Sequence, residues 1–434
     1  MEKLFQLKKH NTNVRTEVIG GLTTFFAMAY IIFVNPNFLS QTGMDHTAVM
    51  LATCISAAIG CFLTAFMANV PFAQAPGMGL NAFFTYTICF GMGYTWQQGL
   101  AIVFISGLIF LAISVSPIRK QIIDSIPAPL KAAISAGIGL FICLIGLLNA
   151  GIVTAGNNLL DLSSITSGPA LLALIGLIIT GILMAWKVKG ALFIGILVTT
   201  VIGIPMGVTN LSNVSISFEG ISVAPTFFKL SFVGLLGNGI LPLLTAIVTF
   251  AMCDCFDTVG TLIGTAGSAG MLDENGNLPR GDKALIADAV ATCTGALMGT
   301  STVTTFVESS TGISEGARTG LSSVVVGILF LLGCVLAPIA GIIPSAATAP
   351  ALIIVGMFMI GNVAKIDWSD VEVALPCFLT IAMMPFAYSI SDGIGFGFIS
   401  YTLIKMARGK FKEVPVLLYI LSALFVVMYI LAAL

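Results

Sequence analysis

Carboxylates occur at two places in this chain where a carboxylate is costly: Asp254-Cys-Phe-Asp257 and Glu308-Ser-Ser-Thr-Gly-Ile-Ser-Glu315. The sequence as a whole is 57% hydrophobic and 9% charged, with a mean hydropathy of +1.06. An acid held at bilayer depth costs roughly 2.5–3.5 kcal/mol even on lenient insertion scales, so such residues face cavities and mark ion, proton or substrate paths. The first cluster follows the apolar run Ile240–Cys253, and the second lies in a stretch too rich in Gly, Ser and Thr for an ordinary spanning helix. These residues suggest the chemistry of a transport site.

Asp254 and Asp257 are at i, i+3 and share one helix face. Two carboxylates that close in an apolar setting cannot both ionise cheaply, so one is expected to hold a proton. Asp254, Asp257 and Glu308 are therefore the candidates for proton coupling. Asp257 has a second reading, as a cap on the backbone amides of a neighbouring broken helix. Glu315 and Arg318, also at i, i+3, are expected to form an internal pair, and Asp288, which follows Lys283, is expected to be structural. In the first half of the chain, Ala73-Gln-Ala-Pro-Gly-Met-Gly-Leu-Asn81 reads as an extended entry and a helix start. Pro76 suits a first helical turn, and Gly77 and Gly79 would let a ligand approach the backbone. In the second half, Ser301–Thr305 is β-branched and extended, and Glu308 opens a short helix whose dipole favours a carboxylate. Such a lining suits a planar heteroaromatic solute. Asn81, Asp254 and Glu308 would bond its edge, backbone at Gly79 and the hydroxyl of Ser309 would lie beside it, and Tyr30, Phe83, Phe26 or Phe84 could stack on its face.

The elements that must position these groups are membrane spans, because apolar runs of about 17–25 residues, the length that crosses a bilayer, recur along almost the whole chain. They are Thr16–Pro36, Thr47–Asn69, Pro76–Met92, Trp96–Ser116, Leu130–Asn149, Pro169–Trp186, Ala191–Val208, Ile240–Ile263, Ala284–Gly299, Ser309–Ala317, Gly320–Ile343, Ala351–Ile360, Glu372–Ser389 and Gly393–Met406. A further apolar run, Val416–Leu434, is either a fifteenth span or a helix lying along the bundle. With the N-terminus in the cytoplasm, fourteen alternating spans place 17 of the 18 basic residues on the cytoplasmic side, Lys229 being the exception. Residues 1–15 form a cytoplasmic N-terminus, 16–208 a first seven-span repeat, 209–238 an external connector, and 239–407 a second repeat. Residues 408–434 hold a basic stretch and the last apolar segment. Both repeats carry a Phe-Ala-Met triplet in their first span (Phe26–Met28 and Phe250–Met252) and a short, glycine-rich third span. Seven is odd, so the second repeat is inverted relative to the first, the plan of secondary transporters that bind near the midplane between broken helices. The fold class is thus an all-α polytopic membrane protein with short extended strands in spans three and ten.

Composition excludes much else. A net charge of −1 offers no basic face for nucleic acid. The nine Cys show no paired spacing and read as small core residues. His10 and His46 lie outside the spans, so neither a metal site nor a cofactor is expected. No removable signal peptide is visible, no Gly-x-Gly-Asp string marks an intramembrane aspartyl protease, and no Walker A string is present. An enzyme is not expected.

Four strings carry a resemblance to a known family: Arg15–Pro36, Ala75–Phe84, Phe256-Asp-Thr-Val-Gly-Thr-Leu262, and Val307-Glu-Ser-Ser-Thr-Gly-Ile-Ser-Glu-Gly-Ala-Arg-Thr-Gly320. In that order, and over nearly the whole chain, the sequence resembles the AzgA-like purine permeases of the nucleobase transporter superfamily. The resemblance implies a core domain (spans one to four and eight to eleven) and a gate domain (five to seven and twelve to fourteen). It also implies purine uptake coupled to protons by an elevator-like movement in the cell membrane, with Asn81, Asp254, Asp257 and Glu308 as binding positions. Asp257 and Asn81 would join the two half-helices. Hypoxanthine and guanine are favoured over adenine, and a homodimer is left open. The rivals are another solute on the same fold (a pyrimidine, xanthine or urate, or a small anion) and a passive channel.

Overall fold

The computed structural model describes residues 2–116, 125–156, 159–166, 168–211, 221–273 and 278–433. Arg119, Lys120 and part of the 209–238 connector lie outside the described residues. Within the rest, each expected span contains a helix. Seven are long and apolar enough to cross a membrane, and the shorter apolar helices Ala191–Gly203, Gly320–Leu336, Val371–Phe386 and Val416–Ile430 accompany them. Short polar residues set the helix starts by accepting the first free N–H groups, as helix termini require. Asn13 Oδ1 accepts from Thr16 N at 3.0 Å and Asp45 Oδ1 from Ala48 N at 2.7 Å. Thr95 and Gln98 form a reciprocal capping box ahead of Trp96–Val115.

The helices fall into two groups. In one, Trp96–Val115 packs against Gly281–Met298, and both Val14–Met28 and His46–Leu63 pack against Gly320–Gly333. Each of these pairs joins one half of the sequence to the other. In the second group, Ala128–Asn149 packs against Ser345–Ile360 and Val371–Phe386, with Gly168–Ala185, Ala191–Gly203 and Ile390–Ala407 around them. The C-terminal helix Val416–Ala433 lies along Ile390–Ala407 and buries Leu418, Leu421 and Phe425.

At the centre of the first group two extended segments cross. Gln74–Pro76 pairs antiparallel with Val303–Thr305, with Ala75 opposite Thr304. The bonds Gly77 N to Thr302 O and Phe306 N to Ala73 O, both 3.0 Å, extend the ladder. β-Branched Val303, Thr304 and Thr305 favour this geometry, and Pro76 sits at the end of its strand, where its missing N–H interrupts nothing. Each strand leads into a helix start: Met78–Ala82, which continues as the wider-wound Phe83–Gly91, and Ser309–Ser314.

Two features of the fold depart from the expected layout. The first expected span is two helices, Val14–Met28 and Ile31–Leu39, joined through Ala29 and Tyr30. There the bonds tighten to i+3 steps, Ile32 N to Ala29 O and Phe33 N to Tyr30 O, both 3.1 Å. A hairpin, Val153–Gly156 with Leu159–Leu162, also stands between two helices.

Candidate functional site

The long helix Ile240–Ser268 carries both members of the first acid cluster, and their surroundings differ. Asp254 is buried, at 1% exposure. Its Oδ2 accepts a hydrogen bond from Thr292 Oγ1 at 2.7 Å, and Thr304 from the crossing strand adjoins it. Its Oδ1 is buried without a protein partner. Asp257 is exposed and makes no hydrogen bond to a described residue. The expected cap on the half-helices is not among its contacts: no hydrogen bond links Asp257 to the described backbone amides, and its electrostatic neighbour is Glu308. Gly260 and Gly264 continue this exposed face, with nothing where a Cβ would stand.

Glu308 sits immediately before the half-helix Ser309–Ser314 and is partly buried. Tyr30 Oη donates to its Oε1 at 2.7 Å. Tyr30 is 1% exposed, so its ring is packed inside while its hydroxyl orients the acid. Asp257 lies near enough to Glu308 for the two to interact electrostatically. Asn81, fully buried, accepts from Ser301 Oγ and so ties the first half-helix to the segment entering the second strand. Ser309 is buried and its Oγ accepts from Ala73 N at 3.0 Å, which fastens the two crossing segments together. Phe83 is fully buried, edge-on to Phe250 at 4.6 Å between centroids. The structure thus brings Asp254, Asn81, Ser309, Phe83, Tyr30 and Glu308 to the region of the crossing strands.

The partners of Asp288, expected from the sequence to be structural, carried no sequence signal. Asp288, fully buried, accepts from Gln74 Nε2 (3.1 Å), Thr305 Oγ1 (2.7 Å) and Thr258 Oγ1 (2.9 Å). Thr258 and Thr304 hydroxyls are 2.8 Å apart. One buried carboxylate therefore gathers donors from both strands and the long helix, which satisfies it without a countercharge.

The model of the Xan_ur_permease family, a permease family, matches residues 15–396. This chain belongs to that permease family. It is a multi-pass membrane transporter and not an enzyme. The guanine/hypoxanthine permease PbuG of Bacillus subtilis is 45% identical over 440 residues, covering 99% of each chain. The adenine permease AdeP of Escherichia coli is 41% identical over 429 residues, covering 98% of this chain and 95% of its own. The fold is that of the transmembrane domain of a cyanobacterial bicarbonate transporter, BicA: TM-score 0.69, 17% identity, 88% of this chain and 97% of that one. The murine anion transporter Slc26a9 in its inward-facing state gives a TM-score of 0.67 at 10% identity, over 91% of this chain and 68% of that one.

The two helical groups of the permease touch at several places. At one end, Tyr86 meets Phe38 (5.8 Å) on its own group, and Phe141 (6.1 Å) and Tyr388 (5.6 Å) on the other, all edge-on. Phe141 and Tyr388 also meet at 5.3 Å, and Tyr388 holds a left-handed backbone at φ 54° to reach this position. Elsewhere between the groups, Gly190 lies against Phe26 and Phe33 stacks on Phe193 at 5.9 Å between centroids. Lys131 Nζ lies 5.1 Å over the Phe256 ring, and Lys189 Nζ pairs with Glu315 Oε1 at 2.7 Å. That ion pair corrects the expected Glu315–Arg318 pair. Arg318 Nη1 instead donates to the Ile313 and Ala317 carbonyls, at 2.6 and 2.7 Å, at and just beyond the end of the half-helix. The glycine expectation is corrected as well. A Cβ at Gly77 would stand 2.6 Å from Thr304 Cγ2, and one at Gly79 would stand 2.6 Å from Ile138 Cγ2. Protein atoms fill both spaces, so close packing accounts for these glycines.

Proposed function

We propose that the chain imports purine nucleobases across the cell membrane by proton symport. It would do so through fourteen spans with a cytoplasmic N-terminus, as an elevator in which the first helical group, the core, moves against the second, the gate. One observation carries this reading: two acids from different elements, Asp254 and Glu308, flank the crossing strands, and each has one oxygen held by a protein hydroxyl. Asp254 Oδ1 is buried without a protein partner in this arrangement; movement of the core against the gate would bring it to a ligand N–H, and purines present N–H groups on a planar edge. Asp254 or Glu308 would carry the proton, with Asp257 at the open side relaying it, and Asn81 would brace the half-helix. The permeases of Bacillus subtilis and Escherichia coli named above support a purine as the solute. They are of similar likeness and differ in substrate, so guanine and hypoxanthine are favoured only by the slightly higher identity to the first.

A small anion, suggested by the two solved transporters of similar fold, suits the site less well. An anion would want a cation at the half-helix starts, and this chain has acids there. The test is uptake of labelled hypoxanthine into cells or proteoliposomes, competed by adenine, guanine, xanthine, uracil and bicarbonate, with and without a proton gradient. Purine-selective uptake that collapses with the gradient and is abolished by Asp254→Asn and Glu308→Gln, at normal membrane levels, is expected. Full gradient-driven uptake by the double variant would refute the site.

A further inference from the structure

Thr292 Oγ1 has two acceptors within reach, Asp254 Oδ2 at 2.7 Å and the Val303 carbonyl at 2.9 Å. A hydroxyl carries one hydrogen, so it donates to one of them at a time. When Asp254 is ionised, the hydrogen points to Oδ2. When a proton sits on Oδ2, that oxygen becomes the donor, Thr292 Oγ1 becomes the acceptor, and the threonine hydrogen turns to Val303. Where the proton sits depends on the other oxygen. Oδ1 is buried and unpartnered, so in the absence of ligand an arriving proton can settle there and leave Thr292 bonded to Oδ2. Once Oδ1 accepts a ligand N–H, the proton is favoured on Oδ2, because a protonated Oδ1 would be a weaker acceptor for that N–H.

We propose that Thr292 is a positioning residue that detects ligand and proton together: its hydroxyl turns from Asp254 to Val303 only when Oδ1 holds a ligand N–H and Oδ2 holds a proton. The step moves one proton onto Oδ2 and rotates one hydroxyl; no other bond is made or broken. Val303 opens the crossing strand and is paired opposite Pro76, so the new bond reaches the ladder that joins the two repeats. A one-ligand, one-proton requirement for the loaded state would follow from this geometry. The charged groups around Asp254 are Asp257 on its own helix and Asp288 on Gly281–Met298, and the strand contributes the Thr304 hydroxyl. None of these offers a cation that would fix the proton elsewhere. The proposal rests on the reading of Asp254 as the proton-carrying, ligand-bonding acid.

Thr292→Val removes the hydroxyl at nearly constant shape, and Thr292→Ser keeps it. In proteoliposomes with labelled hypoxanthine or adenine, whichever the competition assay selects, gradient-driven accumulation and substrate counterflow are measured for each. Accumulation by Thr292→Val is expected to fall about tenfold further than counterflow, the worth of one hydrogen bond to a charged group, with Thr292→Ser restoring the ratio. An unchanged ratio, whether both activities stay or fall in parallel, overturns the proposal. Should Thr292→Val fold poorly, infrared difference spectra of Thr292→Ser and Thr292→Cys provide the second measurement. The carboxyl band that Asp254→Asn removes should move in Thr292→Cys, whose thiol bonds weakly, and stay in Thr292→Ser; no movement in Thr292→Cys overturns the proposal. Gradient-driven accumulation by Asp254→Asn would refute the underlying reading instead.

Discussion

The contact between Gly79 and Ile138 is where the first helical group touches the second beside the site, and it gives the sharpest prediction. Replacing Gly79 by Ala puts a Cβ 2.6 Å from Ile138 Cγ2, with the next Ile138 atoms at 3.9 Å. That is about 0.8 Å inside the shortest ordinary contact of about 3.4 Å, so one helix must shift, and inserting a methyl into such packing costs about 1–3 kcal/mol. Because the overlap exists only while these two elements face each other, the cost falls on this arrangement of the two groups. The population of this arrangement should drop by about 5- to 150-fold, since each 1.4 kcal/mol is a factor of ten. Uptake is expected to fall by about an order of magnitude at unchanged membrane levels. The offending atom is the β-branch methyl, which Val retains and Leu lacks. Ile138→Leu should therefore rescue Gly79→Ala, and Ile138→Val should not. Normal uptake by Gly79→Ala, or equal rescue by both second-site changes, would refute the packing argument.

Three further outcomes are expected. Removing the buried acceptor with Asp288→Ala strands the Gln74 and threonine donors. It should lower the midpoint of thermal unfolding in detergent, and a cycle with Gln74→Ala should show a coupling above about 1 kcal/mol, because the two groups share one network. Tyr388→Ala removes two edge-on ring contacts worth about 0.5–1.5 kcal/mol each; a cysteine at Thr87 in that background should react faster with a membrane-impermeant thiol reagent added from the side that the proposed topology makes external. Lys189→Glu should change uptake by less than about fivefold, because an ion pair this exposed is worth about 0–1 kcal/mol, and Glu315→Lys added to it should return uptake to the starting level.

Much of the helical layout was legible because hydropathy is local: a run of apolar residues forms a helix whatever its neighbours. The acids were legible for a related reason, since Asp254 and Glu308 are anomalous in their own apolar surroundings. Partner choice was not legible. Ser309 bonds Ala73 across 236 residues, and Tyr30 reaches Glu308 across 278. Spacing favoured Arg318 for Glu315, yet the guanidinium donates to the Ile313 and Ala317 carbonyls, and Glu315 pairs with Lys189 from a remote part of the chain.

The sequence by itself determined that this is a polytopic chain of two related halves, and which carboxylates are too costly to be incidental. Only the tertiary structure decided what surrounds each carboxylate. Asp254 and Asp257 stand one turn apart on the same helix, yet one is buried against Thr292 and the other is open. Burial and hydrogen-bond supply are properties of the space between elements, and that space is built by residues remote in the chain.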